Sequence, residues 1–146
     1  MYDEAREAIL NSSESSSVYI GADSIRFKNK KGDWFAKYSV VIILHVDSKH
    51  GAKIFHKNIE MHDYGNLRQR LITEAGFAIE AASEIIDVIG NRHMEIHLDI
   101  NPNPRHKSNI AVKEALGYVK GSTGLDAVIK PYSFAATHAA DHVVRH

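Results

Sequence analysis

The sequence predicts an α/β fold built on a mixed five-stranded sheet with flanking helices, in the order βββαβαβα. Three observations carry that expectation. Residues 18–61 hold three consecutive strand-like runs. From Leu67 to Ile89 the apolar residues change to helical spacing. Two later short apolar runs, 93–100 and 126–130, each precede a helical segment.

In chain order, residues 1–11 have the pattern of a short amphipathic helix, and the Ser-rich "NSSESSS" that follows has no means of building a core. Residues 1–16 therefore read as a short helix and linker ahead of a domain spanning 17–146. "SVYIGADS" is the first strand. In "WFAKYSVVIILHV" the positions Trp34, Ala36, Tyr38, Val40, Ile42, Leu44 and Val46 are all apolar, while Lys37, Ser39 and His45 hold the other parity, which gives a long strand with one core face. "DSKHG" supplies a turn and "AKIFHKNIEM" a third, antiparallel strand. Gly90 and Asn91 stop the long helix. "HMEIHLDI" alternates as a fourth strand and is broken by "NPNP", because Pro fixes φ and drives the preceding residue into extended geometry. Ser108 is the expected N-cap of a helix through "NIAVKEALGYV" with Gly121 behind it. "DAVIK" is the expected fifth strand and "SFAATHAADHVVRH" the last helix.

A chain of 146 residues suits one domain, and the absence of cysteine excludes a disulfide framework and thiolate metal sites, which fits a reducing cytoplasm. "MYDEAREAIL" is acidic where a secretory leader is basic, and no apolar run approaches the roughly 20 residues of a membrane span. The formal net charge is zero, which argues against holding nucleic acid mainly by bulk electrostatics. Local basic clusters remain in "IRFKNKK", "LRQR" and "PRHK".

Two lone acids end apolar runs, Asp23 in "YIGADS" and Asp99 in "IHLDINP". If strand four pairs parallel with strand one across the helical crossover, both reach the same sheet edge, where ligands sit in open α/β sheets. On a helical wheel of about 100° per residue, the long helix gathers Leu71, Ala75, Ala78, Ile79, Ala82, Ile85, Ile86 and Ile89 into one arc. Glu80, Glu84 and Asp87 fall opposite, but Glu74 lies at the edge of the apolar arc. A carboxylate turned to a core needs a partner, and Arg70 four residues earlier is the structural alternative to a metal. In the last helix Asp141 follows His138 by three residues, so the two share a face. The Ala-rich "AATHAAD" suits close approach to a sheet.

"YIGADS", "LRQRLITEAGFAIEAASEI" and "IHLDINPNPRHKSN", in that order and with "HAAD" after them, resemble the ribonuclease H-like superfamily, and most closely its YkuK-type family, from about residue 17 to the end. The resemblance implies an RNase H-like fold and a two-metal nuclease, with two divalent ions about 4 Å apart hydrolysing a phosphodiester. It assigns Asp23, Glu74, Asp99 and Asp141 as metal-binding acids, with Asp23 shared between ions. Mg²⁺ is the expected ion and Mn²⁺ its substitute. His138 is a candidate for proton relay or product release. Ser24, Arg26, Asn101, Arg105 and Lys107, beside the acids in sequence, are candidates for touching phosphate or sugar. The partner class is nucleic acid, whether RNA, RNA/DNA hybrid or DNA. Proofreading-type exonucleases of the superfamily begin with Asp-x-Glu, whereas Ser24 and Ile25 follow Asp23 here. Two rivals are an inactive RNase H-like module that binds nucleic acid or protein, and a Zn²⁺ or Ni²⁺ site on His138, His142 and His146 at i, i+4 and i+8.

Overall fold

A computed structural model describes residues 1–101 and 109–146. Helix α1 (Tyr2–Leu10) leads into β1 (Ser17–Lys28), β2 (Trp34–His45) and β3 (Ala52–His62). Then come α2 (Leu67–Ile89), β4 (His93–Leu98) and α3 (Asn109–Thr123). A π-helical stretch, Ala135–Ala140, finally runs into α4 (Asp141–Arg145). The sheet order is β3-β2-β1-β4, with β1 antiparallel to β2, β2 antiparallel to β3, and β4 parallel to β1.

The expected fifth strand does not form. Val128 makes one parallel bridge to His97, with Val128 N–H donating to Ile96 O at 2.8 Å and Leu98 N–H to Val128 O at 2.9 Å. The limit is set by the partner: β4 ends at Leu98, where Ile100 N–H turns back to Leu98 O at 2.9 Å, and beyond that turn Lys130 N–H donates to Ile100 O at 3.0 Å without extending a ladder. The sheet therefore has four strands. One boundary and one side chain also differ from expectation: α3 runs through Gly121 and stops before Gly124, whose φ is 76°, and Ile86 is 57% exposed rather than part of the apolar arc of α2. The expected cap at Ser108 lies outside the described residues.

The alternation of β2 does its expected work on one face: Ala36, Tyr38, Val40, Ile42 and Leu44 are buried against α2 together with Val18, Ile20 and Ala22 of β1. α2 opens on Asn66, whose side chain accepts from Gln69 N–H at 3.1 Å. It buries Ala75, Ala78, Ala81 and Ala82, small residues that let it lie close to the sheet, together with Ile85. α1 docks on α2, with Ala5 and Ile9 fully buried in the same core, and Arg92 donates to Ser12 O at 2.6 Å. On the opposite face Val41 and Ile43 form a second, smaller core with Ala135 and Ala140 of the terminal helical segment. Among the described residues, no helix is long and apolar enough to cross a membrane.

One clamp ties the sheet to the start of α2. Asp63, whose side chain is 3% exposed, pairs with Arg26 of β1 and, at 3.3 Å, with Arg70 of α2. Burial works to raise its carboxyl, but the two guanidinium groups prevail and hold it below the ordinary value. An acid held low by the fold stabilises above its unfolded pKa and loses that contribution as pH falls toward the lower folded value. Asp63→Asn is expected to cost roughly 2–3 kcal/mol at neutral pH, because two guanidinium groups lose their anion. Urea unfolding at pH 7 and at pH 3 checks this: the gap between wild type and variant narrows on the acid side.

Candidate functional site

The register places the two strand-end acids together. Ala22 pairs with Leu98, so Asp23 and Asp99 are the next residues of two adjacent parallel strands. Asp23 shares the sheet face of Gly21, the face covered by the terminal helical segment, and Asp99 accepts from Thr137 Oγ1 of that segment at 3.3 Å. Both acids therefore lie on one side of one edge.

The terminal segment owes its position to Gly21 and His97. A β-carbon at Gly21 would sit 2.3 Å from the carbonyl carbon and oxygen of Ala135, so only glycine admits the segment this close. His97, fully buried and paired across the sheet with Gly21, accepts the Ala135 N–H on Nδ1 at 3.1 Å. Its proton is thereby placed on Nε2, which donates to Glu95 at 3.3 Å. Phe134 and Tyr19 pack around the ring, with centroids 4.6 and 5.6 Å from it. The segment then winds as a π-helix, in which residues three apart no longer overlie as they do in an α-helix. Asp141 turns toward Asp23 while His138 is exposed, although near enough for its charge to favour the Asp141 carboxylate.

Glu74 arrives from the other side of the sheet. It is 5% exposed and accepts from the Ser24 hydroxyl, which β1 directs toward α2. Arg70 pairs with Asp63 instead of Glu74. Among the described residues neither Asp23, 6% exposed, nor Glu74 has a Lys or Arg in an ion pair. Asp23 is pushed up to about 7, first by burial and then by Asp99 and Asp141, against one backbone hydrogen bond from Ser24. Glu74 is raised well above the ordinary value by burial, and Asp23 and Asp99 add to the effect. Asp141 moves the other way: partial burial opposes ionisation, but Arg145 and the proton shared with Asp23 keep it ionised. Directly across from Asp23 on β2, Ser39 is fully buried, and its hydroxyl has no hydrogen-bond partner among the described residues.

The outer two acids are turned to cations. Lys130 Nζ lies 3.1 Å from Asp99, and Arg145 Nε 2.7 Å from Asp141. Among the described residues no three His, Asp or Glu side chains form a group arranged to hold a metal ion, a statement that covers His138, His142 and His146 as well. The donor chemistry nevertheless suits a hard divalent cation: Asp99 and Asp141 both act electrostatically on Asp23, Asp23 and Asp99 act on Glu74, and the two buried acids, Asp23 and Glu74, have no Lys or Arg in an ion pair among the described residues and lie near an orphaned hydroxyl.

The proposed substrate contacts divide. Ser24 is spent on Glu74, and Arg26 lies away from the acids, its guanidinium 4.3 Å from the Trp34 ring and paired with Asp63. Asn101 is exposed close after Asp99. Arg105 and Lys107 lie outside the described residues. Sequence reading missed Lys130, Thr137, His97 and Ser39. Parity offered a signal for the first: once Val128 aligns with His97, Lys130 aligns with Asp99.

A family model described as "Ribonuclease H-like" matches residues 1–145. No curated protein and no solved structure matches the chain.

Proposed function

The chain belongs to the ribonuclease H-like family, and from that premise we propose that it is a divalent-metal-dependent nuclease whose site is the edge where β1 and β4 end. The observation that carries the reading is the pair of buried carboxylates, Asp23 and Glu74, near enough to act on each other electrostatically, neither with a Lys or Arg ion pair among the described residues, with Asp99 acting on both and Asp141 on Asp23. Buried carboxyls beside other acids take up protons in the metal-free protein, and a divalent cation that displaces those protons would stabilise the ionised arrangement instead. Asp23, Glu74, Asp99 and Asp141 would hold Mg²⁺, or Mn²⁺ in its place. When bound, such ions supply Lewis-acid activation of water and neutralise charge at the leaving oxygen of a phosphodiester.

The chain's own groups prepare the site. Ser24 fixes the orientation of Glu74, and Thr137 fixes that of Asp99. Lys130 and Arg145 occupy the outer carboxylates in the metal-free protein and are placed to meet a phosphate once cations take those oxygens. No observation favours an inert scaffold, which has no need of buried acids in this arrangement.

The test is a panel of labelled RNA, single-stranded DNA, RNA/DNA hybrid and branched DNA, offered to wild type, Asp99→Asn and Glu74→Gln with Mg²⁺ or Mn²⁺. Wild type is expected to cut at least one substrate, and each variant to lose roughly 10²-fold or more, since several kcal/mol of metal-derived stabilisation is at stake at about 1.4 kcal/mol per tenfold. Cutting that survives in both variants, or none on any substrate, overturns the reading.

A further inference from the structure

The sheet face that carries Asp23 continues beyond the terminal segment as an open surface. One register row runs Asp23, Ser39 and Asn58 across β1, β2 and β3, and a row four residues further along β1 runs Phe27, Phe35 and His62. The rings of that second row stack on one another across the strands, so the π-faces left to a ligand are those at the two ends of the stack. Phe27 and Phe35 have centroids 6.0 Å apart at 25°, and Phe35 and His62 4.3 Å apart at 31°. Tyr64, just past the end of β3, extends the row at 6.1 Å and 19° from His62 and is 79% exposed. Nothing in the second core reaches these rings: that core is made by Val41 and Ile43, further from the hairpin.

Charge gathers at the same end. The β1–β2 hairpin carries Arg26, Lys28, Lys30, Lys31 and Lys37 against one acid, Asp33, in a chain whose formal net charge is zero. Among the described residues Lys30, Lys31 and Lys37 have no carboxylate at ion-pair distance, although Glu60 stands across from Lys37 in register. Lys37 shares the face of the rings and lies between them and the row of Asp23.

We propose that this row is a stacking platform for unpaired bases, which makes single-stranded nucleic acid the substrate class. Every base has a π-face, so a base of any identity can extend this stack at either end, on Phe27 or on Tyr64, and cationic side chains track the phosphates of the strand that carries it. A duplex keeps its bases stacked on one another and cannot use the rings. From Phe27 back to Asp23 is about 13 Å along β1, a span of a few nucleotides, so a strand anchored on the rings runs its backbone past Lys37 to the acids. The proposal rests on the reading of that edge as a nuclease site.

Fluorescence anisotropy in EDTA, which removes cutting from the readout, tests it with three probes: a short labelled single-stranded oligonucleotide, its perfect duplex, and an abasic chain of the same length. The single strand is expected to bind at least about tenfold tighter than either of the others. Tyr64→Ala and His62→Ala, both at exposed positions, are each expected to lose about tenfold for the single strand and to leave the abasic chain unchanged, and Phe35→Leu, which keeps apolar volume under the row, behaves in the same way. Equal affinity for the abasic chain, tighter binding of the duplex, indifference to all three substitutions, or no binding of any probe overturns the platform. Ring-dependent binding without cutting when Mg²⁺ or Mn²⁺ is restored supports the platform and sinks the nuclease reading alone. Cutting that ignores the rings does the reverse.

Discussion

Asp23→Asn is expected to abolish cutting while making the metal-free protein more stable. The two effects have one cause. Asp23 is 6% exposed and faces Asp99 and Asp141, so its carboxyl is pushed up to about 7, by burial before anything else. Between the unfolded value of 3.8 and about 7 the folded chain holds a proton that the unfolded chain releases, so stability declines as pH rises through that window and is lowest above it. At about 1.4 kcal/mol per pH unit the ceiling is near 4 kcal/mol, and because the proton is shared with Asp141 a gain of roughly 1–3 kcal/mol at pH 8 is the expected size. The gain disappears below pH about 4, where the wild-type carboxyl is protonated in both states. Urea unfolding of both proteins in EDTA at pH 4 and pH 8 measures it. A cation competes with the same proton, so calorimetry of wild type is expected to show Mg²⁺ binding that tightens from pH 6 to pH 8 with proton release. Activity falls roughly 10³-fold or more, on the same reasoning as for the other acids. An Asn variant that is less stable than wild type at pH 8 shows that Asp23 is a satisfied structural acid and removes the physical basis of the site.

Gly21→Ala is expected to be severely destabilising although it adds a single methyl group. The new carbon would lie 2.3 Å from the Ala135 carbonyl and 2.7 Å from Ala136 N, all backbone atoms that no rotamer change can move. The terminal segment must lift from β1, breaking the hydrogen bond from Ala135 to His97 and uncovering Val41 and Ile43. The loss is expected to be roughly 3 kcal/mol or more, in the range of overpacking and of the worst single substitutions. Asp141 and Thr137 move with the segment, so Mg²⁺ binding weakens in whatever fraction remains folded. Gly117→Ala on α3, where an added β-carbon has nothing within 4 Å, is the control and is expected to be neutral or to stabilise by up to about 1 kcal/mol. Similar unfolding curves for the two variants would show that the segment is not held by its approach to Gly21.

The patterning of the chain determined three antiparallel strands, the long helix, and a fourth strand parallel to the first, and these alone bring Asp23 and Asp99 to one edge. Local spacing suffices for that much because period 2 and period 3.6 are properties of neighbours in sequence, and a parallel crossover leaves few topologies. The failed fifth strand marks the limit: "DAVIK" has strand composition, but how many ladder bonds it makes depends on where β4 ends and turns, at Leu98 to Ile100, not on its own residues. Whether Glu74 forms an ion pair with Arg70 was likewise open in the sequence, and in the structure Arg70 pairs instead with Asp63, from a different part of the chain. Only the tertiary structure could show that Lys130 and Arg145 sit on the outer carboxylates, that Ser39 is left without a partner, and that Gly21 admits the terminal segment. Each of those depends on distances between residues far apart in the chain, and such distances are set by packing, which periodicity does not encode.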